Sequence, residues 1–170
     1  MPTSHHTLHD LPVTVANTEP AIETRDVVAR LDQSLALIAR HVPHRYRRMQ
    51  RDVREIVVQR FPCRGAFFPA ERAILTELTF LVNPSFTPAQ IAASIVHEAT
   101  HARVAASLRG DVVNRRPREE RLCREAELEF GLALPDGGAV IERARASLAL
   151  EDEGVAPTID WDEAFRRMNG

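Results

Sequence analysis

Residues 87–101 run Thr87-Pro88-Ala89-Gln90-Ile91-Ala92-Ala93-Ser94-Ile95-Val96-His97-Glu98-Ala99-Thr100-His101, and every local signal in that stretch points to one helix. Thr87 stands as N-cap, Pro88 takes the first helical position and Gln90 completes a capping box. Phe86 and Ile91 flank the cap as a hydrophobic staple. The pattern carries the helix to Leu108 or Arg109, where Gly110 supplies a stop. Residues 91–96 are nearly free of polarity, which marks a helix buried around most of its circumference.

The polar residues in that apolar setting carry the chemistry. His97 and His101 are four apart, so their imidazoles share one helix face about 5–6 Å apart and can converge on a single ion. Unpartnered, such buried polar groups cost on the order of 2–7 kcal/mol each, and a divalent cation satisfies them together. Glu98, displaced about 100° around the helix, reaches past the metal to a bound water, whose pKa zinc lowers. Its expected role is general base. Cys63 and Cys123, 60 positions apart, have neither zinc-finger spacing nor a metal-type neighbour. A structural zinc site has no use for Glu98, so an open, catalytic site with one zinc per chain is expected.

No histidine follows His101, so a third ligand is expected to be a carboxylate on the next helix. The stretch Glu119-Glu120-Arg121-Leu122-Cys123-Arg124-Glu125-Ala126-Glu127-Leu128-Glu129-Phe130 supplies the choices. At 100° per residue, Glu119 lies at the centre of the apolar stripe, Glu120 and Glu127 along one border and Glu129 along the other, while Glu125 points away. Helical geometry leaves several of these open.

An HExxH pentad followed, 19 residues after His101, by a glutamate opening the next helix resembles the gluzincin class of zinc metallopeptidases, the thermolysin-type zincins. The resemblance covers roughly residues 55–135. It implies Glu120 as third ligand, with Glu119 or Glu127 as alternatives and Glu127 also suited to orienting an imidazole N–H. It further implies a hydrolase, specifically a protease with a peptide or protein substrate, and an edge strand that receives extended peptide by strand addition; Ala73–Val82 is the expected strand. The larger members carry a second lobe with a tyrosine or histidine for the oxyanion, which this chain lacks. Tyr46, His41, His44 and the arginines of 45–54 are the alternatives here, and Arg103 is expected to pair with a glutamate of the ligand helix.

Outward from this centre the chain divides simply. Residues 1–20 hold three prolines and His5, His6 and His9 without sustained periodicity, so a flexible tail with at most loose metal affinity is expected. Residues 21–170 form one domain, with a first helix over 21–40 and a short basic one from Pro43 to about Arg51. Strands are expected at 55–61, 66–68 and 73–82, followed by helices at 118–134 and 139–150 and a last one with Trp161, Phe165 and Met168 on one side. The fold class expected is α+β: a zincin-like single domain with a small, about three-stranded, mainly antiparallel sheet against the HExxH helix and its glutamate-bearing partner.

The 170 residues carry a formal charge of −2, which gives no global attraction to nucleic acid or membrane. All 22 basic residues are arginine, the mark of a GC-rich, hence bacterial, genome. Seven of them fall in 45–64, expected to be a solvated face paired with acidic helices rather than a nucleic-acid site. Two cysteines fit reduced thiols, and neither a secretory leader nor a membrane span is evident, so a cytoplasmic protein is expected. A non-catalytic, zinc-stabilised binding or regulatory protein on the same scaffold is the alternative function.

Overall fold

Leu11, Val13 and Val15 alternate with Pro12 and Thr14, and that period of two builds a strand where a flexible tail is expected. The computed structural model describes residues 3–107 and 115–170. Its N-terminus is a hairpin, β1 (Thr3–Leu8) and β2 (Leu11–Ala16). His9 and Asp10 join them with φ of 48° and 63°, the doubly left-handed turn whose twist matches that of the flanking strands. Leu11, Val13 and Val15 are buried, so residues 3–16 belong to the folded domain and the expected tail is corrected.

Parallel neighbours need a long crossover, and α1 (Thr24–His41) with α2 (Pro43–Asp52) provides it, leading from β2 to β3 (Glu55–Gln59). β4 (Gly65–Phe68) and β5 (Ala73–Glu77) complete a sheet in the order β1-β2-β3-β5-β4. β5 runs parallel to β3 and antiparallel to β4. The α+β class stands, but the sheet has five strands and is mixed, not three-stranded and antiparallel. Across it Val13, Ile56 and Ile74 pair in register, and all three are buried in the core with Val27, Leu31, Leu35 and Ile38 of α1.

The expected strand 73–82 stops at Glu77. The Glu77 carboxylate accepts from the backbone N–H of Phe80 at 2.7 Å and from the Thr79 hydroxyl at 2.7 Å, capping a short helix, α3 (Leu78–Val82). β5 lies inside the sheet between β3 and β4, and β4 and β1 are its two edges.

α4 (Pro88–Ser107) carries the motif through the middle of the molecule, against α1, α2, β4 and β5 on one side and α5 (Arg116–Ala133) on the other. Its capping box forms as expected: Thr87 N–H donates to Gln90 Oε1 at 2.9 Å and Gln90 N–H to Thr87 Oγ1 at 3.2 Å. The stop expected at Gly110 lies outside the described residues. α6 (Gly138–Leu148) folds back on α5 through a turn at Gly137, where a Cβ would stand 1.9 Å from the Gly131 carbonyl oxygen. α7 (Asp152–Val155) and α8 (Trp161–Asn169) close the chain. Among the described residues, no helix is long and apolar enough to cross a membrane.

Candidate metal centre

Ser94, His97, Glu98, His101 and Ala105 follow the i, i+3, i+4, i+7 rhythm of one helical stripe, and together they floor a cleft of about 750 Å³. The first turns of α5 form its facing wall. Glu120 reaches both imidazoles: its Oε2 lies 3.1 Å from His97 Nε2 and its Oε1 3.3 Å from His101 Nε2. The other ring nitrogens are tied as well. His97 Nδ1 donates to Glu127 Oε1 at 2.6 Å, and His101 Nδ1 to Glu119 Oε1 at 2.7 Å. The three glutamates left open by helical geometry thus have separate positions, one between the Nε2 atoms and one behind each ring.

This donor set fits a zinc ion. Two imidazole nitrogens and a carboxylate, each within 3.3 Å of its neighbour, are the donor types of open catalytic sites. A carboxylate on each remaining ring nitrogen fixes the tautomer and raises ligand basicity. Burial lowers the pKa of His97 and of His101, but polar neighbours outweigh it: Glu120 and Glu127 push His97 up, and Cys123, Glu119 and Glu120 push His101 up. Burial raises the Glu120 carboxyl, and hydrogen bonds from His101 and His97 bring it well below the ordinary range.

Cys123 is the residue that the sequence reading passed over. Its thiol and one nitrogen from each histidine lie within 4.8 Å of one another, so it does have metal-type neighbours. Glu120, by contrast, sets one oxygen against each Nε2 atom. Cys123, three residues on, is completely buried, and burial pushes its thiol pKa up to about 11, away from the thiolate that binds metal. The Glu-x-x-Cys spacing, which puts residues 120 and 123 on one face, was the available signal.

Glu98 is 9% exposed and packs under β4. A Cβ on Gly65 would stand 3.2 Å from Glu98 Cγ and Oε1 and from Ser94 Oγ, a tight contact that a side chain there makes only if its neighbours give by a few tenths of an ångström. Burial raises the Glu98 pKa, opposed by the two histidines and assisted by Glu120 and Glu127.

The comparisons are silent. No family model, no curated protein and no solved structure matches this chain. The site therefore rests on its own geometry.

The expected oxyanion candidates lie elsewhere. The Tyr46 hydroxyl donates to the His9 carbonyl, and His44 and Arg45 pair with Glu129 on the far side of α5. Arg103 bonds Ser107, not a glutamate of α5. The amino-terminal histidines are occupied separately, His5 with Thr14, His6 with Ser4 and His9 with Asp32. What lines the cleft instead is Cys63, the arginines Arg64, Arg115, Arg116, Arg124 and Arg143, and the segment from Val155 to Trp161. α8 has no buried residue; Trp161 and Phe165 pack on Phe61, each with ring centroids 5.8 Å away.

Proposed function

We propose that the chain is a zinc-dependent hydrolase, a metallopeptidase of gluzincin-like, zincin type, with zinc held by His97, His101 and Glu120. The observation that carries this reading is the placement of Glu120 across the two Nε2 atoms while Glu127 and Glu119 occupy the two Nδ1 atoms. Bound zinc would supply Lewis acidity, polarising a carbonyl and making water a nucleophile near neutral pH. Glu98 takes one proton from the attacking water as its oxygen bonds to the peptide carbon. It then delivers that proton to the amine as the C–N bond breaks. Burial and the neighbouring carboxylates raise its pKa against the pull of the histidines, moving it toward the range where one group serves as both base and acid.

The sheet supports a peptide substrate. β4 is an edge strand, and Gly65 at its start lies over the Glu98 side chain, which an added Cβ would approach to 3.2 Å. An extended peptide added to that edge would run past the acid-base group. This gives β4 the role that the sequence suggested for 73–82. Free Cys63 and Cys123 suit cytoplasmic work.

One observation favours the second reading, a non-catalytic zinc-stabilised protein. With Cys123 beside the histidines, four protein groups could close the metal site. Zinc content of the purified chain, and hydrolysis of an unfolded protein such as casein by wild type and Glu98→Gln, separate the two. Stoichiometric zinc in both proteins with hydrolysis only in the wild type is the expected result. Zinc retained with no hydrolysis by either supports the second reading, and absence of zinc overturns both.

A further inference from the structure

The cleft holds more positive charge at one end than its carboxylates neutralise. Among the described residues Glu127 is the carboxylate that acts on Arg143, and one of its oxygens serves both His97, at 2.6 Å, and Arg124 Nη1, at 2.7 Å. The Arg124 Nε is buried without a hydrogen-bond partner. Arg143, projecting from α6 into the same cleft, has neither a hydrogen bond nor an ion pair among the described residues. Burial lowers its pKa, Glu127 raises it, and Arg124 and Arg64 lower it further, so three guanidinium groups share one field. Arg64 stacks on the Phe86 ring, 4.5 Å from its centroid, and among the described residues pairs with no carboxylate.

Several other arginines with a buried or half-buried side chain are partnered. Arg45 pairs with Glu129, Arg60 with Glu19 and Glu77, and Arg121 with Asp152. Arg30 caps the carbonyls of Leu81, Asn83 and Phe86. Arg143 with Arg124 and Arg64 near it, and Glu127 already shared between His97 and Arg124, is a local concentration of positive charge in a protein with net charge −2. Guanidinium groups present paired donors matched to a carboxylate, and such bonds strengthen where water is partly excluded.

We propose that Arg143, backed by Arg124 and Arg64, is a carboxylate-binding subsite that makes the chain selective for acidic peptides. The proposal builds on the peptidase reading above and names its substrate class. Glu127 links the subsite to His97, so the bound carboxylate lies within a side chain's reach of the metal centre. The carboxylate can come from a glutamate side chain or from a free C-terminus.

Four versions of one quenched fluorescent peptide distinguish the sources: glutamate or glutamine at the varied position, each as free acid or C-terminal amide. With zinc-loaded wild type, the preferred source should raise kcat/KM roughly ten- to hundred-fold over its neutral counterpart, the range for hydrogen bonds to charged groups. In Arg143→Ala that ratio should fall to about 1, and Arg143→Lys should recover part of it. An unchanged ratio in Arg143→Ala, or no preference in wild type, overturns the subsite. Peptide binding to zinc-loaded Glu98→Gln, followed by fluorescence anisotropy, tests it without turnover. Carboxylate-dependent binding lost in Glu98→Gln/Arg143→Ala sustains the subsite even if wild type cleaves nothing, an outcome that removes only the peptidase reading.

Discussion

His97 Nδ1 and Glu127 Oε1 stand 2.6 Å apart, both buried, on helices whose registers place them 30 residues apart in sequence. A ring so held presents Nε2 in one tautomer and one orientation. Glu127→Ala is therefore expected to weaken zinc binding by about 10–100-fold, the usual cost of losing such a partner, measured by competition with a chromogenic chelator. Glu119→Ala should act the same way through His101. Wild-type affinity in both variants would sink the role given to these carboxylates.

Cys123 and Glu120 make opposite predictions for cobalt substitution. With Glu120 as ligand, the cobalt form of the wild type lacks the near-ultraviolet charge-transfer band of a thiolate, and Cys123→Ala keeps its metal. Glu120→Ala should lose metal under dialysis. A thiolate band that disappears in Cys123→Ala points to the closed site instead.

Proton linkage works on the metal-free chain from two sides. His97 and His101 are raised above 6.5, so the stability they contribute is complete below that value and declines as pH rises beyond it. Glu98, raised above 4.5 by burial, also costs stability as pH rises. Glu119 and Glu120 are depressed below 4.5, so their contribution holds above that value and is lost on acidification. Without metal, Tm should peak between about 4.5 and 6.5 and fall toward pH 9. Zinc must displace the imidazole protons, so its stabilising effect should grow across the same rise. Thermal melts with EDTA and with zinc over that range check both trends, and a metal-free Tm that climbs toward pH 9 contradicts the assignment.

Gly65→Ala puts a methyl 3.2 Å from the Glu98 side chain and Ser94 Oγ. The freer partner is the Glu98 carboxylate, so the general base should shift by a few tenths of an ångström. The expected result is a loss of kcat of about tenfold, since misplacement of 1 Å can cost 10²-fold, with stability altered by no more than about 1 kcal/mol. Steady-state kinetics beside urea denaturation separate the two effects.

Asp10 has φ of 63°, a left-handed backbone that costs a residue with a side chain roughly 1–2 kcal/mol, less for Asp. Asp10→Gly should raise stability by about 0.5–1 kcal/mol, read as a higher Tm. A lower Tm would show that the Asp10 side chain contributes more than its backbone strain.

The sequence showed the centre of the molecule better than its rims. The capping box at Thr87 and Gln90 and the four-residue spacing of His97 and His101 are local, and local rules place them correctly. Glu120 needed one further piece of information, the pairing of two helices, and the glutamate border on α5 narrowed it to a few positions. The amino-terminal hairpin was legible at Leu11, Val13 and Val15, but its partner β1 reads Thr3-Ser4-His5-His6-Thr7-Leu8 with no apolar alternation, and its pairing is decided only across the sheet. Glu77 ends β5 with a side-chain cap, a decision made by one carboxylate against a run of strand-forming residues. Arg143 carried no signal at all, because its meaning depends on which arginines and which single glutamate the fold brings around it.

Glu119, Glu120 and Glu127 are carried by one helix, and Arg124 with them. The proposed ligand, the carboxylates on both imidazoles and a cation of the cleft therefore share one helix. When α5 is seated, the whole centre exists; when it is not, His97 and His101 are left on α4 with no counterpart. Assembly of the site is thus all-or-none, and the protection of α5 amides against solvent exchange reports directly on whether the centre is complete.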